Sequence, residues 1–142
     1  NKPVIFTISA AWDEEAAVWS GHCDDIPAAA DAPTLDGLLA KMSAMALDIL
    51  ADNHPGVLPS SVYLQLNALR EAGLRLLMAP QFDRALRELL RAAGCTMVRQ
   101  GKGSHEVWHS PLTKRNFAVP IGIPSRHTAN AILRQAGLPK AF

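Results

Sequence analysis

Charge divides this chain in two. Residues 1–74 hold ten acidic side chains, running from Asp13, Glu14 and Glu15 to Glu71, against three basic ones (Lys2, Lys41 and Arg70). Residues 75–142 hold eleven basic side chains against three acidic ones (Asp83, Glu88 and Glu106). The formal net charge of +1 is the small remainder of two large opposed charges. A chain split in this way is expected to form an acidic module, residues 1–74, beside a basic module, residues 75–142. The basic module suits a polyanion such as RNA or DNA. Modules of roughly 70 residues only narrowly offset their chain entropy by burial, so packing against one another would help both.

Cys23 and Cys95 lie in different halves with no closely spaced partner, which argues against a disulfide framework or a cysteine-based zinc site. No stretch approaches the roughly 18–20 apolar residues that span a bilayer, and no basic and apolar leader opens the sequence. A cytoplasmic protein without a membrane partner is the expectation.

Periodicity gives the elements. Val4, Phe6, Ile8 and Ala10 alternate with Ile5, Thr7 and Ser9, which predicts a strand over residues 3–12. Asp13-Glu14-Glu15 turns the chain into a second strand over 17–23, and 28–32 supplies a third. Thr34 can cap a helix in which Leu35, Leu38, Leu39, Met42, Ala46, Ile49 and Leu50 keep a 3.6-residue period. A further alternating strand covers 62–68, so the first half reads βββαβ. After a connection at 71–80, Phe82, Leu86, Leu89, Leu90 and Ala93 form one helical stripe, stopped by Gly94. Three short strands fit 95–100, 104–109 and 116–121. A last helix starts at Ser125 and stops at Gly137. The second half reads αβββα, and the class is α+β.

The densest cluster of chemistry-bearing residues is Arg99-Gln100-Gly101-Lys102-Gly103-Ser104-His105, at the junction of two short strands. Glycines let a backbone approach a phosphate, Arg99 and Lys102 supply positive charge, and Ser104 can donate a hydrogen bond. Imidazole titrates near neutrality, so His105 could take a proton from a ribose 2′-hydroxyl or give one to a leaving oxygen. RNA carries its own nucleophile, so neither a metal nor another cofactor is called for. On pattern alone the signal is weak, because a lone strand histidine is more often structural.

The surrounding blocks add specificity. Leu89-Leu90-Arg91-Ala92-Ala93-Gly94-Cys95, the run from Val98 through His105 to Trp108, Phe117-Ala118-Val119-Pro120, and the run from Ser125-Arg126-His127 to Gly137-Leu138 together resemble the HicA toxin family. The resemblance implies a double-stranded-RNA-binding-like αβββα fold and metal-independent cleavage of mRNA, with His105 as the catalytic group. The RNA contacts expected around it are Arg99, Lys102, Gly103 and Ser104, joined by Lys114 and Arg115 in the next turn. Relatives often place a basic residue and a histidine directly after the Val-Pro pair; here Ile121-Gly122 follows, which leaves His127 without an implied role. The first half resembles HicB-like antitoxin domains through its acidic turn, its Trp-containing strand, Asp24-Asp25-Ile26-Pro27, Ala30-Asp31-Ala32 and Thr34-Leu35 before an amphipathic helix. That implies a partial ribonuclease-H-like sheet that binds the toxin and has no nuclease chemistry. No DNA-binding module precedes the toxin half, so operator binding is not expected.

A toxin–antitoxin unit is therefore the favoured expectation, its acidic half covering His105 within or between chains, with a homo-oligomer possible. The alternative is a non-catalytic RNA-binding module with an acidic regulatory half. Several bland readings stand beside these. His105 and His109 are too far apart on a strand, at roughly 13 Å, to share a metal ion. His22, Cys23, Asp24 and Asp25 read more readily as a strand end and turn than as ligands. Arg84, Arg87 and Arg91 fit either a solvated helix face or RNA contact. Trp108, which alternates with Val107, is expected to pack against a helix.

Overall fold

A computed structural model describes residues 2–72 and 81–142. The expected boundary between residues 74 and 75, and the internal Met78 that would suit a separate toxin start, lie outside the described residues.

The first half builds a four-stranded sheet covered by one helix. β1 (Val4–Asp13), β2 (Val18–Cys23) and β3 (Ala28–Ala32) form an antiparallel meander, α1 (Leu35–Asn53) crosses behind it, and β4 (Val62–Leu69) returns parallel to β1. The strand order is β3-β2-β1-β4. Phe6, Ile8 and Ala10 of β1 are buried while Ile5, Thr7, Ser9 and Ala11 are exposed, so alternation selects the face against which α1 docks. α1 buries Leu38, Met42, Met45, Ala46, Ile49 and Leu50 there. Each large apolar side chain so buried contributes about 1.5–3 kcal/mol before entropy is subtracted. Thr34 caps the helix as the sequence predicts, its Oγ1 accepting from the Gly37 amide at 3.0 Å.

The second half is α2 (Asp83–Ala92), the antiparallel hairpins β5 (Thr96–Gln100), β6 (His105–Ser110) and β7 (Arg115–Pro120), and α3 (Arg126–Gln135). Leu86 and Leu90 of α2, Ala129, Ile132 and Leu133 of α3, and Trp108, Phe117 and Val119 of the sheet share one core. Trp108 thus packs under the helices. The whole is the α+β arrangement expected from periodicity, βββαβ followed by αβββα.

The halves share their cores. β3 is an edge of the first sheet and β7 an edge of the second, and these two strands meet, with the Ala118 amide donating to the Pro27 carbonyl at 3.3 Å. Ala118 belongs to the first half's core, and Ala29 to the second's. β3 (Ala-Ala-Ala-Asp-Ala) is buried along its whole length, and its small side chains permit this close approach. α1 lies against β7, which leaves the β6–β7 face that carries His105 and Val107 turned toward the first half.

Candidate functional site

The β5–β6 hairpin places His105 at the first position of β6. Its backbone is held by bonds from the Gly101 amide (3.0 Å) and the Gln100 side chain (3.1 Å) to the His105 carbonyl. Alternation from Trp108, which points into the helix-covered core, aims His105 at the opposite face. There the His105 side chain is 3 % exposed, and its Nε2 lies 2.8 Å from Oδ2 of Asp48 on α1.

Asp48 organises this cluster. Its Oδ2 also accepts from the Lys102 backbone amide at 2.9 Å, and its Oδ1 accepts from Arg99 Nη1 at 3.1 Å. Arg99 reaches further along α1, donating to the Asp48 carbonyl at 3.1 Å and to Asp52 Oδ2 at 3.4 Å. Burial pushes the Asp48 carboxyl up, but the Lys102 amide, the His105 ring and the Arg99 guanidinium together outweigh it and hold the group below the ordinary carboxylate range. Gly101 makes room for the arrangement. A Cβ there would lie 2.4 Å from His105 Cδ2 and Nε2, and 2.9 Å from Asp48 Oδ2. The close approach expected of a phosphate at this glycine is taken by an imidazole and a carboxylate of the chain itself.

The other site candidates separate into two groups. Lys102, Gly103 and Ser104 are exposed at the mouth of the cluster, where Gly103 adopts φ +101° and the Ser104 carbonyl accepts from the Ile121 amide. A cleft of about 250 Å³ opens beside His105, between Lys41 and Ala44 of α1 and Gly103, Ser104 and Ile121. Lys114 and Arg115 lie at the far end of the β6–β7 hairpin, since His105 pairs with Pro120 while Ser110 pairs with Arg115. A rise of about 3.3 Å per residue puts them roughly 17 Å away. Lys114 is exposed, and Arg115 donates to the Asp25 carbonyl at 3.0 Å.

Most of the other histidines and arginines discussed above have structural neighbours. His109 bonds Asn116 Oδ1 at 2.8 Å, and the His127 side chain is exposed. Asp24 accepts from Arg134 and Gln135, and His54 contacts the Asp25 carbonyl. Among the described residues no three His, Cys, Asp or Glu side chains are placed to hold a metal ion together. Cys23 and Cys95 are buried free thiols, both pushed up by burial. Arg84 is solvated beside Glu88. Arg87 is sequestered by Glu106, Asp83 and the Pro120 carbonyl, and Arg91 lies over the Trp108 ring.

A second polar junction stands where the first sheet receives the start of α3. Ser125, the N-cap of α3, donates its hydroxyl to Asp13 Oδ2 at 2.5 Å and its amide to Asp31 Oδ2 at 3.0 Å. Thr128 donates to Asp31 Oδ1 and bonds Ser20. Burial pushes the Asp31 carboxyl up to about 7; Asp13 adds to the rise, while Thr128, the Ser125 amide and Lys41 oppose it. Outside this buried pair, Glu15 grips Arg126 through both oxygens at 2.7 and 2.9 Å.

The sequence assigns no site role to Asp48, Asp52, Asp13 or Asp31, because its acidic residues are scattered. One signal was available. Asp48 and Asp52 are four residues apart on a helix and so share a face, which is the spacing expected of an acidic stripe that meets a basic partner.

Two family models match the chain. Residues 5–77, just over half of it, match a domain of unknown function (DUF1902), and residues 84–138 match the HicA toxin of bacterial toxin–antitoxin systems. Neither the curated proteins nor the solved structures contain a match. No helix among the described residues is long and apolar enough to cross a membrane.

Proposed function

The chain belongs to the DUF1902 family, with a HicA toxin domain fused behind this antitoxin-like domain, and from that premise we propose that it is a self-inhibited ribonuclease whose first half covers the mRNA-cleaving site of the second. The boundary is proposed between residues 74 and 75, three residues before the first match ends at residue 77. The observation that carries the reading is the 2.8 Å contact from Asp48 to His105 Nε2. It engages the one ring atom able to exchange a proton on that side, in a histidine with almost no exposed surface.

In the released toxin half, His105 would accept the proton of a ribose 2′-hydroxyl as that oxygen attacks the adjacent phosphorus. The bond from phosphorus to the 5′-oxygen breaks, that oxygen takes up a proton, and a 2′,3′-cyclic phosphate is left on the upstream fragment. Arg99, Lys102, Gly103 and Ser104 would hold the phosphate, and Lys114 and Arg115 would meet the strand further along. The contacts of Asp48, Asp52 and Asp25 with Arg99, His105 and Arg115 of the same polypeptide favour restraint within one chain.

The test is to express residues 78–142 alone, with and without His105→Ala, and to follow growth and RNA integrity. The parent fragment is expected to arrest growth and cut RNA to cyclic phosphate ends in the presence of EDTA, and His105→Ala to be inert. Equal cleavage by both would remove His105 from the mechanism. RNA bound but uncut by the parent fragment would leave a binding module. Linear 3′-hydroxyl ends lost in EDTA would point to metal-assisted hydrolysis.

A further inference from the structure

Three donors of the second half converge on one carboxylate of the first: the His105 ring, the Lys102 backbone amide and the Arg99 guanidinium, at 2.8, 2.9 and 3.1 Å from Asp48. Each of these bonds crosses between the halves. The Asp48 side chain is 5 % exposed, so an anion has been drawn out of water into this nest. A planar guanidinium fork, a backbone amide and an imidazole gathered around a single anion make the donor set that recognises a phosphate. The cleft beside His105 would give the substituents of such a group a way out past Gly103 and Ser104. Gly101 completes the nest, since any Cβ there would strike both the ring and the carboxylate.

We propose that Asp48 is a phosphate surrogate: Arg99, His105 and the Lys102 amide form a phosphodiester subsite, and α1 inserts a carboxylate into it. This rests on the reading that the second half acts on RNA. It goes beyond coverage of the site, because it says that the first half competes for the donors the substrate would use. Steric blockade alone requires no such convergence. An uncharged side chain of similar size would block as well, whereas a surrogate must be an anion and must be exchangeable for one.

The test uses the full chain carrying Asp48→Ala, titrated with inorganic phosphate at constant ionic strength, with acetate as a control. Phosphate is expected to shift the Lys102 amide and His105 ring resonances saturably and to raise the melting temperature. The parent chain, whose nest is filled, should not respond. Adding Arg99→Ala should weaken phosphate binding by about tenfold, the loss of one charge-assisted contact. Asp48→Asn serves as a second variant, because its amide keeps the size and loses the charge; phosphate should displace it at higher concentration. A folded Asp48→Ala chain whose resonances ignore phosphate, or a parent that responds equally, would overturn the proposal. So would unfolding of both variants that phosphate does not reverse. The two readings fail separately: phosphate binding with a folded but inert 78–142 fragment sinks the nuclease and keeps the subsite, and an active fragment without phosphate binding does the opposite.

Discussion

Gly101 and Asp31 are the residues whose chemistry is most sharply fixed by their neighbours. The Cβ of Gly101→Ala would press on a buried ring and a buried carboxylate. The substitution should cost about 1–3 kcal/mol in denaturant unfolding, as overpacking does, and loosen the His105–Asp48 contact, a change that NMR would detect. Gly103→Ala meets nothing within 4 Å and should cost only the strain of its left-handed backbone, about 1 kcal/mol. Asp31 makes a prediction of opposite sign to that of a salt-bridged carboxylate. Its folded value of about 7 lies above the ordinary 3.8, so the folded chain holds a proton that the unfolded chain gives up, and stability falls as pH rises between the two. Relative to the parent, Asp31→Asn should therefore gain roughly 2–3 kcal/mol between pH 5 and pH 7, read as the difference between two unfolding curves. Asp48, held low, acts the other way, its contribution being lost in acid. At this scale the sequence was legible where contacts are local. Arg99, Lys102 and His105 lie within seven residues and do gather in one place, whereas Asp48 is 57 positions from His105 and nothing along the chain pairs them.

The helices and strands were read more completely than the contacts between them, because periods of 2 and 3.6 are properties of a segment. Thr34 and Ser125 were foreseen as helix starts and are N-caps whose side-chain oxygens accept from Gly37 and His127 amides. The short 3-10 turn Pro59–Ser61 was not foreseen, since three residues carry no period. What the Ser125 cap also does could not be seen: it joins α3 to Asp13 and Asp31 of another sheet. Ser125→Ala should thus cost more than Thr34→Ala. The latter removes one cap, about 1 kcal/mol; the former also leaves a buried carboxylate short of a donor, a further loss of about 1–3 kcal/mol. Thermal melting of the two variants side by side checks the order. The Arg126–Glu15 pair is a weaker joint despite its geometry. Its side chains are 42 % and 34 % exposed, so a double-mutant cycle should return no more than about 1 kcal/mol.

Over the whole molecule, the opposed charges that open the sequence do face each other, with Glu15, Asp24, Asp48 and Asp52 meeting Arg126, Arg134 and Arg99. Charge could foretell that meeting but not its geometry, which depends on the all-small strand β3 and on β7. β7 has Ala118 in one core and Phe117 and Val119 in the other. The halves should accordingly unfold in one transition, and calorimetry should give equal calorimetric and van't Hoff enthalpies; two resolved transitions would contradict a shared core. The Asp48–His105 contact has one more consequence, set by the fact that both residues belong to the same polypeptide. A tethered inhibitor sees its target at an effective concentration of order millimolar, whatever the cell makes of it. Dilution cannot empty such a site, and a change in gene dosage cannot unbalance it, since the two halves leave the ribosome one for one. On the proposed reading, release of ribonuclease activity is then a question of cutting or prising rather than of abundance.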